Sequence, residues 1–215
     1  MTIDSCGCII LGMTRSSYPK RSIRSRIIPA ILRRLGWIGL HFEPYLIVRE
    51  GFDNSVAASA DQKFRFGFLP LEEIESLADF GPNGGVEKMR RWMTEDGKRC
   101  FAAWDGQRLA AKMWCDFKEY NHKPNFRFLD EDEVYLFAAY SHPDYRGQNL
   151  APKTRLHCYE GLKALGRTKF YSVTEYYNSA ARRFKEKLGA RNESLVLYVS
   201  LFNRWSRTFT LNTYK

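Results

Sequence analysis

One stretch limits the possible folds more than any other: residues 133–151, EVYLFAAYSHPDYRGQNLA. Residues 134–140 are aromatic and aliphatic without a charge, which suits a buried strand better than an amphipathic helix. Pro143-Asp144 stops the strand, and from Gly147 the chain reads as a helix start. Pro152 fits the first turn, where its missing N–H has no intrahelical partner. Arg146 adds a fixed positive charge at the same point, and a helix N-terminus adds unpaired N–H donors and the positive end of the macrodipole. Together they make a cradle for a phosphate or pyrophosphate. Taken alone, the pattern fits any α/β connection, and a second motif narrows it.

That motif is residues 178–189, NSAARRFKEKLG, after another strand-like run at 170–173. With the loop, it resembles the acetyl-CoA-binding core of the GCN5-related N-acyltransferases, the GNAT superfamily. There the loop reads Gln or Arg, two residues, Gly, one residue, Gly or Ala; Arg146 fills the first position and Ala151 the last. The later segment matches the family's Asn, Ala, aromatic, Leu-Gly signature at Asn178, Ala181, Phe184, Leu188 and Gly189. One helix and one strand separate the two motifs, the family's order, and the resemblance spans about residues 62–215.

The resemblance implies an α/β fold with a central mixed, mostly antiparallel twisted sheet of about seven strands and about four flanking helices. It implies acetyl-CoA as co-substrate and no metal, with the cofactor held by Tyr140, Ser141, Arg146, Gly147, Gln148, Asn149, Leu150 and Ala151, then by Asn178, Phe184 and Lys185. Three positions depart from the pattern. Asn149 stands where the central Gly is usual, and Asn tolerates left-handed backbone better than most residues. Lys185 stands where many members carry a Tyr that protonates the departing thiolate, so the acid comes from elsewhere or an ammonium stabilises the thiolate. Ala190 replaces an aromatic, a packing change.

Thioester aminolysis needs a neutral amine, a donor for the carbonyl oxygen and a proton for the thiolate. In the family the oxyanion donor is usually a central-strand backbone N–H, here around residues 137–140. Period two puts Glu133, Tyr135 and Phe137 on one strand face, so Glu133 through water, or Tyr135, is a base candidate. Glu175, just past the fifth strand of the family's order, is the rival, and Tyr176 or Tyr177 could supply the missing acid. Glu133 reads equally well as a cap on the strand's solvent end, and the two tyrosines as packing.

The 215 residues suffice for one domain and an extension. Residues 51–61, small and polar, read as a linker, dividing a basic extension over 1–61 from an acyltransferase domain over 62–215. Tyr18 to Gly39 interleaves Lys20, Arg21, Arg24, Arg26, Arg33 and Arg34 with aliphatic residues and Trp37. From about Pro29 it reads as an amphipathic helix ended by Gly36 or Gly39. Such a helix packs its stripe on the catalytic domain, or docks on anionic lipid or an acidic acyl carrier protein through residues 20–38. A short strand follows at 45–48. Beyond the linker come a strand at 64–69, a helix opened by Pro70, a break at 81–85, a helix at 86–94 and a hairpin at 101–104 and 109–117. Residues 118–132 read as a loop, 150–165 as a helix in which Lys153 or Arg155 could reach a CoA phosphate, and 195–202 with 208–213 as a last hairpin.

A net charge of +10 points to anionic partners without choosing among them, and nucleic acid is not expected. Five scattered cysteines, among them Cys6-Gly-Cys8, suit reduced thiols in a cytoplasmic protein, peripheral to a membrane if the helix docks there. Residues 1–12 lack the basic start of a signal peptide, and Met13 leaves the natural start open. The function read from this is transfer of an acetyl group from acetyl-CoA to the primary amine of a small molecule, by a monomer or a homodimer. Two alternatives stay open: a longer-chain N-acyltransferase fed by acyl-CoA or acyl carrier protein, and a non-catalytic member that binds CoA or other anions.

Overall fold

The computed structural model describes residues 24–52, 63–78, 80, 85–122, 125–202 and 204–214. The elements, in chain order, are α1 (Arg24–Trp37), β1 (Leu40–Glu50), β2 (Phe64–Phe68), a 3₁₀ helix (Leu71–Leu77) and α2 (Gly85–Thr94). Then come β3 (Arg99–Asp105), β4 (Arg108–Asp116), β5 (Glu119–His122), β6 (Asn125–Phe128), β7 (Glu133–Ser141) and α3 (Leu150–Ala164). The chain ends with β8 (Lys169–Glu175), α4 (Ser179–Lys187), β9 (Arg191–Leu201) and β10 (Trp205–Thr213). Eight strands form one sheet in the order β10-β9-β1-β8-β7-β4-β3-β2. Among the described residues only β7 and β8 run parallel, and α3 is the crossover a parallel pair requires.

Alternation along the strands gives the sheet two buried faces. On one, Phe101, Met113, Val134, Leu136 and Phe170 pack under Cys158, Tyr159 and Leu162 of α3. On the other, Cys100, Ala102, Trp104 and Trp114 meet Ile74 and Leu77 of the 3₁₀ helix and Met89 of α2. In α3 the residues Leu150, Thr154, Cys158 and Leu162 recur every fourth position and are buried, the stripe that fixes the helix on the sheet.

Four sequence expectations change. Leu40–Glu50, assigned to an extension, is an interior strand of the same sheet, antiparallel to both β8 and β9. Pro44 in its middle reads as a strand boundary, since proline breaks a ladder. Here the Pro44 carbonyl accepts from Tyr176 N–H (2.9 Å), just past the last β8 pair, Tyr45 with Glu175. The edge lacking an N–H therefore faces the end of β8, where no ladder bond is lost. Residues 118–132, read as a loop, contain the antiparallel pair β5 and β6, four residues each and too short to show a period. Finally, α1 starts at Arg24, ahead of the expected Pro29, and the segment after Pro70 is 3₁₀. The Cys6-Gly-Cys8 pair, most of the linker and residues 81–84 of the Gly-rich break lie outside the described residues. Among the described residues no helix is long and apolar enough to cross a membrane.

Candidate active site

The sheet opens between β7 and β8. Their parallel register runs from Glu133 opposite Lys169 to Leu136 opposite Ser172, and both strands continue beyond that point without pairing to each other. At the same level β7 carries a bulge. Lys112 of β4 faces Tyr140 and Trp114 faces Phe137, so Ala138 and Ala139 together oppose Met113. Ala138 adopts φ +47, which costs a non-glycine residue on the order of 1–2 kcal/mol and turns its peptide out of the ladder. The result is a wedge in which the two strands no longer pair with each other.

The cradle lies at the end of β7. Tyr145 and Leu150 anchor the loop in a cluster with Phe64, Ala103, Ala110 and Ala111, and Arg108 holds Asp144 at 2.7 Å. Between these anchors the backbone turns left-handed twice, at Gly147 (φ +82) and at Asn149 (φ +56), so Asn149 takes the conformation its residue type permits. A Cβ at Gly147 would meet nothing within 4 Å, so the dihedral and not crowding is what favours glycine there. Residues 147–149 are exposed, and they lead into α3, whose first-turn N–H groups have no intrahelical acceptor. Beside them the guanidinium of Arg146 reaches Tyr140 Oη at 3.4 Å, while Arg146 Nε and Ser141 Oγ are buried without a hydrogen-bond partner. Gln148 instead bonds the Asp144 carbonyl and Lys63, so its side chain braces the loop.

Asn178 caps α4, its Oδ1 accepting from Ala181 N–H at 3.0 Å. Phe184 is half-buried on that helix. Lys185 turns inward, 6% exposed, and donates to Ser172 Oγ (2.7 Å), Thr174 Oγ1 (2.5 Å) and the Val173 carbonyl (3.1 Å). All three ammonium protons are engaged by β8, the strand that parts from β7. Next to it the buried carboxylate of Glu50 faces both Lys185 (3.6 Å) and Arg155 (3.1 Å) and accepts from Tyr159 and Ser172 hydroxyls. Burial pushes Lys185 down to about 8 despite Glu50. Burial pushes Glu50 up, but the two cations and two hydroxyls outweigh it and hold its carboxyl below the usual range. Arg155, a candidate phosphate contact from sequence, is therefore an interior counter-ion; Lys153 stays half-exposed on the first turns of α3.

The base candidates separate. Glu133 opens β7, at the opposite end of the strand from the cradle, about 25 Å of extended chain away. It is buried and takes hydrogen bonds from Arg127 (2.5 Å) and Asp130 N–H (3.1 Å); burial raises its carboxyl, and these bonds bring it below the usual range. Such a group is a structural anchor and a poor proton acceptor. Burial keeps the Tyr135 phenol protonated. Glu175 ends β8 beyond the point of parting and is exposed, and its pairing with Tyr45 places it on the sheet face of Tyr171 and Val173. Tyr176 and Tyr177 follow it in edge-to-face contact at 5.3 Å.

On that face an aromatic wall runs through Trp92, Phe137, Tyr135 and Tyr120, with neighbouring centroids 4.8 to 5.6 Å apart. Sequence reading missed this wall and missed Glu50: the wall needs the β5–β6 hairpin to fold over the sheet, and a lone Glu after an apolar run carries no signal.

The parallel pair β7 and β8 parts beside a bulge, and the left-handed loop at the N-terminus of α3 lies at the same end of β7. The sequence matches the acetyltransferase (GNAT) family over residues 68–190, more than half of the chain, and the chain belongs to that family. No curated protein matches it. Among solved structures it is similar to a GNAT-family acetyltransferase from Novosphingobium aromaticivorans (19% identity, TM-score 0.54), covering 76% of this chain and 66% of that one. It is also similar to a GNAT-family acetyltransferase from Colwellia psychrerythraea (14% identity, TM-score 0.55), covering 74% of this chain and 57% of that one. In both cases the chain spans under two thirds of the relative's length.

Proposed function

We propose that the protein transfers an acetyl group from acetyl-CoA to the primary amine of a small molecule. The carrying observation is the wedge between β7 and β8 ending in the exposed left-handed loop at Gly147 and Asn149. In this reading the pyrophosphate lies on the backbone N–H groups of residues 147–151 with Arg146 beside it. The pantetheine arm pairs with strand backbone in the wedge, and the thioester carbonyl accepts from a β7 N–H freed at the bulge. The amine approaches along the aromatic wall. Glu175, at the wet end of β8, removes its proton through water, and the Tyr176 phenol returns one to the thiolate. Lys185 is a positioning residue: its protons are engaged by β8, so it holds that strand apart from β7 instead of meeting sulfur.

The test is thiol release from acetyl-CoA with a panel of primary amines, alongside the melting temperature with acetyl-CoA. A ligand that binds only the native state raises that temperature. Glu175→Gln should lower kcat roughly a hundredfold or more with little change in KM for acetyl-CoA. A shift with a long-chain acyl-CoA but none with acetyl-CoA would move the donor assignment, and no shift with either would refute the reading.

A further inference from the structure

We infer that the end of the molecule formed by α1 and the β9–β10 turn is a docking surface for an anionic lipid bilayer. Two parts of the chain carry no acid: residues 5–42, with seven Lys or Arg, and residues 194–215, with three. These ten cations equal the net charge of +10, so the remaining 155 residues balance at 24 basic and 24 acidic. The excess charge is not a property of the whole surface.

The fold brings the described residues of these two parts, from Arg24 and from Ser194 onward, together. Leu40 pairs with Leu201, and Phe202 N–H donates to the Gly39 carbonyl at 2.6 Å. The Phe202 ring packs so closely on Gly39 that a Cβ there would lie 3.0 Å from it. The residues at this junction are large and apolar yet face water: Trp37 is 83% exposed, Ile38 60% and Phe202 65%. Phe202 also sits at φ +51, strained backbone that a turn would ordinarily give to Gly or Asn. An exposed, strained phenylalanine is explained by what it touches outside the protein. Arg33 and Arg34 on α1, and Arg204 and Arg207 after Phe202 in the chain, are exposed. Exposed indole and phenyl rings with exposed arginines on the same elements match the boundary of an anionic membrane, where rings enter the headgroup layer and cations pair with phosphate. An acidic carrier protein would account for the arginines but not for a projecting Trp, Ile and Phe at the tip of a turn.

The experiment uses the full chain with vesicles of phosphatidylglycerol mixed with phosphatidylcholine, and of phosphatidylcholine alone. We expect co-sedimentation and a blue shift of tryptophan emission with the anionic vesicles only. Trp37→Ser combined with Phe202→Asn should weaken binding about tenfold or more, and Asn suits the left-handed turn, so the melting temperature should hold. Arg33→Gln with Arg34→Gln should remove much of the salt-sensitive part. Absence of binding to anionic vesicles overturns the inference, as does binding that the Trp37 and Phe202 changes leave intact. A dimer that the same changes dissolve, without vesicle binding, overturns it in favour of a second copy, and capture of an acidic carrier protein without vesicle binding overturns it in favour of that partner. Acetyl transfer does not enter these readouts.

Discussion

Glu50 is the counter-charge for two buried cations. Replacing it by Gln leaves Arg155 and Lys185 without a carboxylate in a dry site, which should destabilise the fold by about 3–5 kcal/mol in urea unfolding. Lys185 adds a pH dependence whose sign is fixed. Its folded value near 8 lies below the usual 10.5, so between those pH values the unfolded chain binds more protons than the native one, and stability rises with pH across that window. Below pH 8 the penalty is fully present. The stability of the wild type relative to Lys185→Met should climb by up to about 3 kcal/mol from pH 8 to 10.5; a flat difference would mean that the lysine is not held in a dry site. Asn149 could be read from sequence, because its residue type already permits left-handed backbone. Asn149→Gly should fold and keep acetyl-CoA binding, whereas Asn149→Val, which resists φ +56, should raise KM for acetyl-CoA about tenfold or more. Glu50 could not be read: its partners lie on α3, β8 and α4, more than a hundred residues along the chain.

At the scale of elements, the motifs of β7, α3 and α4 were legible because each is local: apolar run, turn, helix start, cap. β1 was legible as a strand and not as to its place. An antiparallel interior strand between β8 and β9 is chosen by partners far along the chain, and Pro44 conceals half its length. Its position predicts that residues 52–215 do not fold alone. Removing β1 strips β8 and β9 of their shared neighbour and takes Glu50 from the ionic cluster. Such a chain should show no cooperative thermal transition in far-UV circular dichroism, while one that melts cooperatively would make β1 dispensable. The β5–β6 hairpin was illegible for a different reason, since Tyr120 signals burial only once Tyr135 and Tyr171 are known to lie beneath it.

For the molecule as a whole, the basic N-terminal part was visible in the sequence but its neighbour was not, because only the pairing of β1 with β9 sets the residues from Arg24 beside the acid-free C-terminal strands. The cradle belongs to the balanced remainder, so CoA binding there rests on oriented N–H groups and one arginine more than on the long-range field. Chromatography and catalysis should therefore respond to different residues. Arg33, Arg34, Arg204 and Arg207 together replaced by Gln remove four charges from one end, and elution from a cation exchanger should fall to clearly lower salt. Being exposed, the four should change stability by no more than about 0.5 kcal/mol each, and kcat/KM for acetyl-CoA should stay within about twofold. If catalysis fell in step with elution, the basic end would be steering the CoA phosphates to the cradle, and the separation of the two surfaces would be wrong.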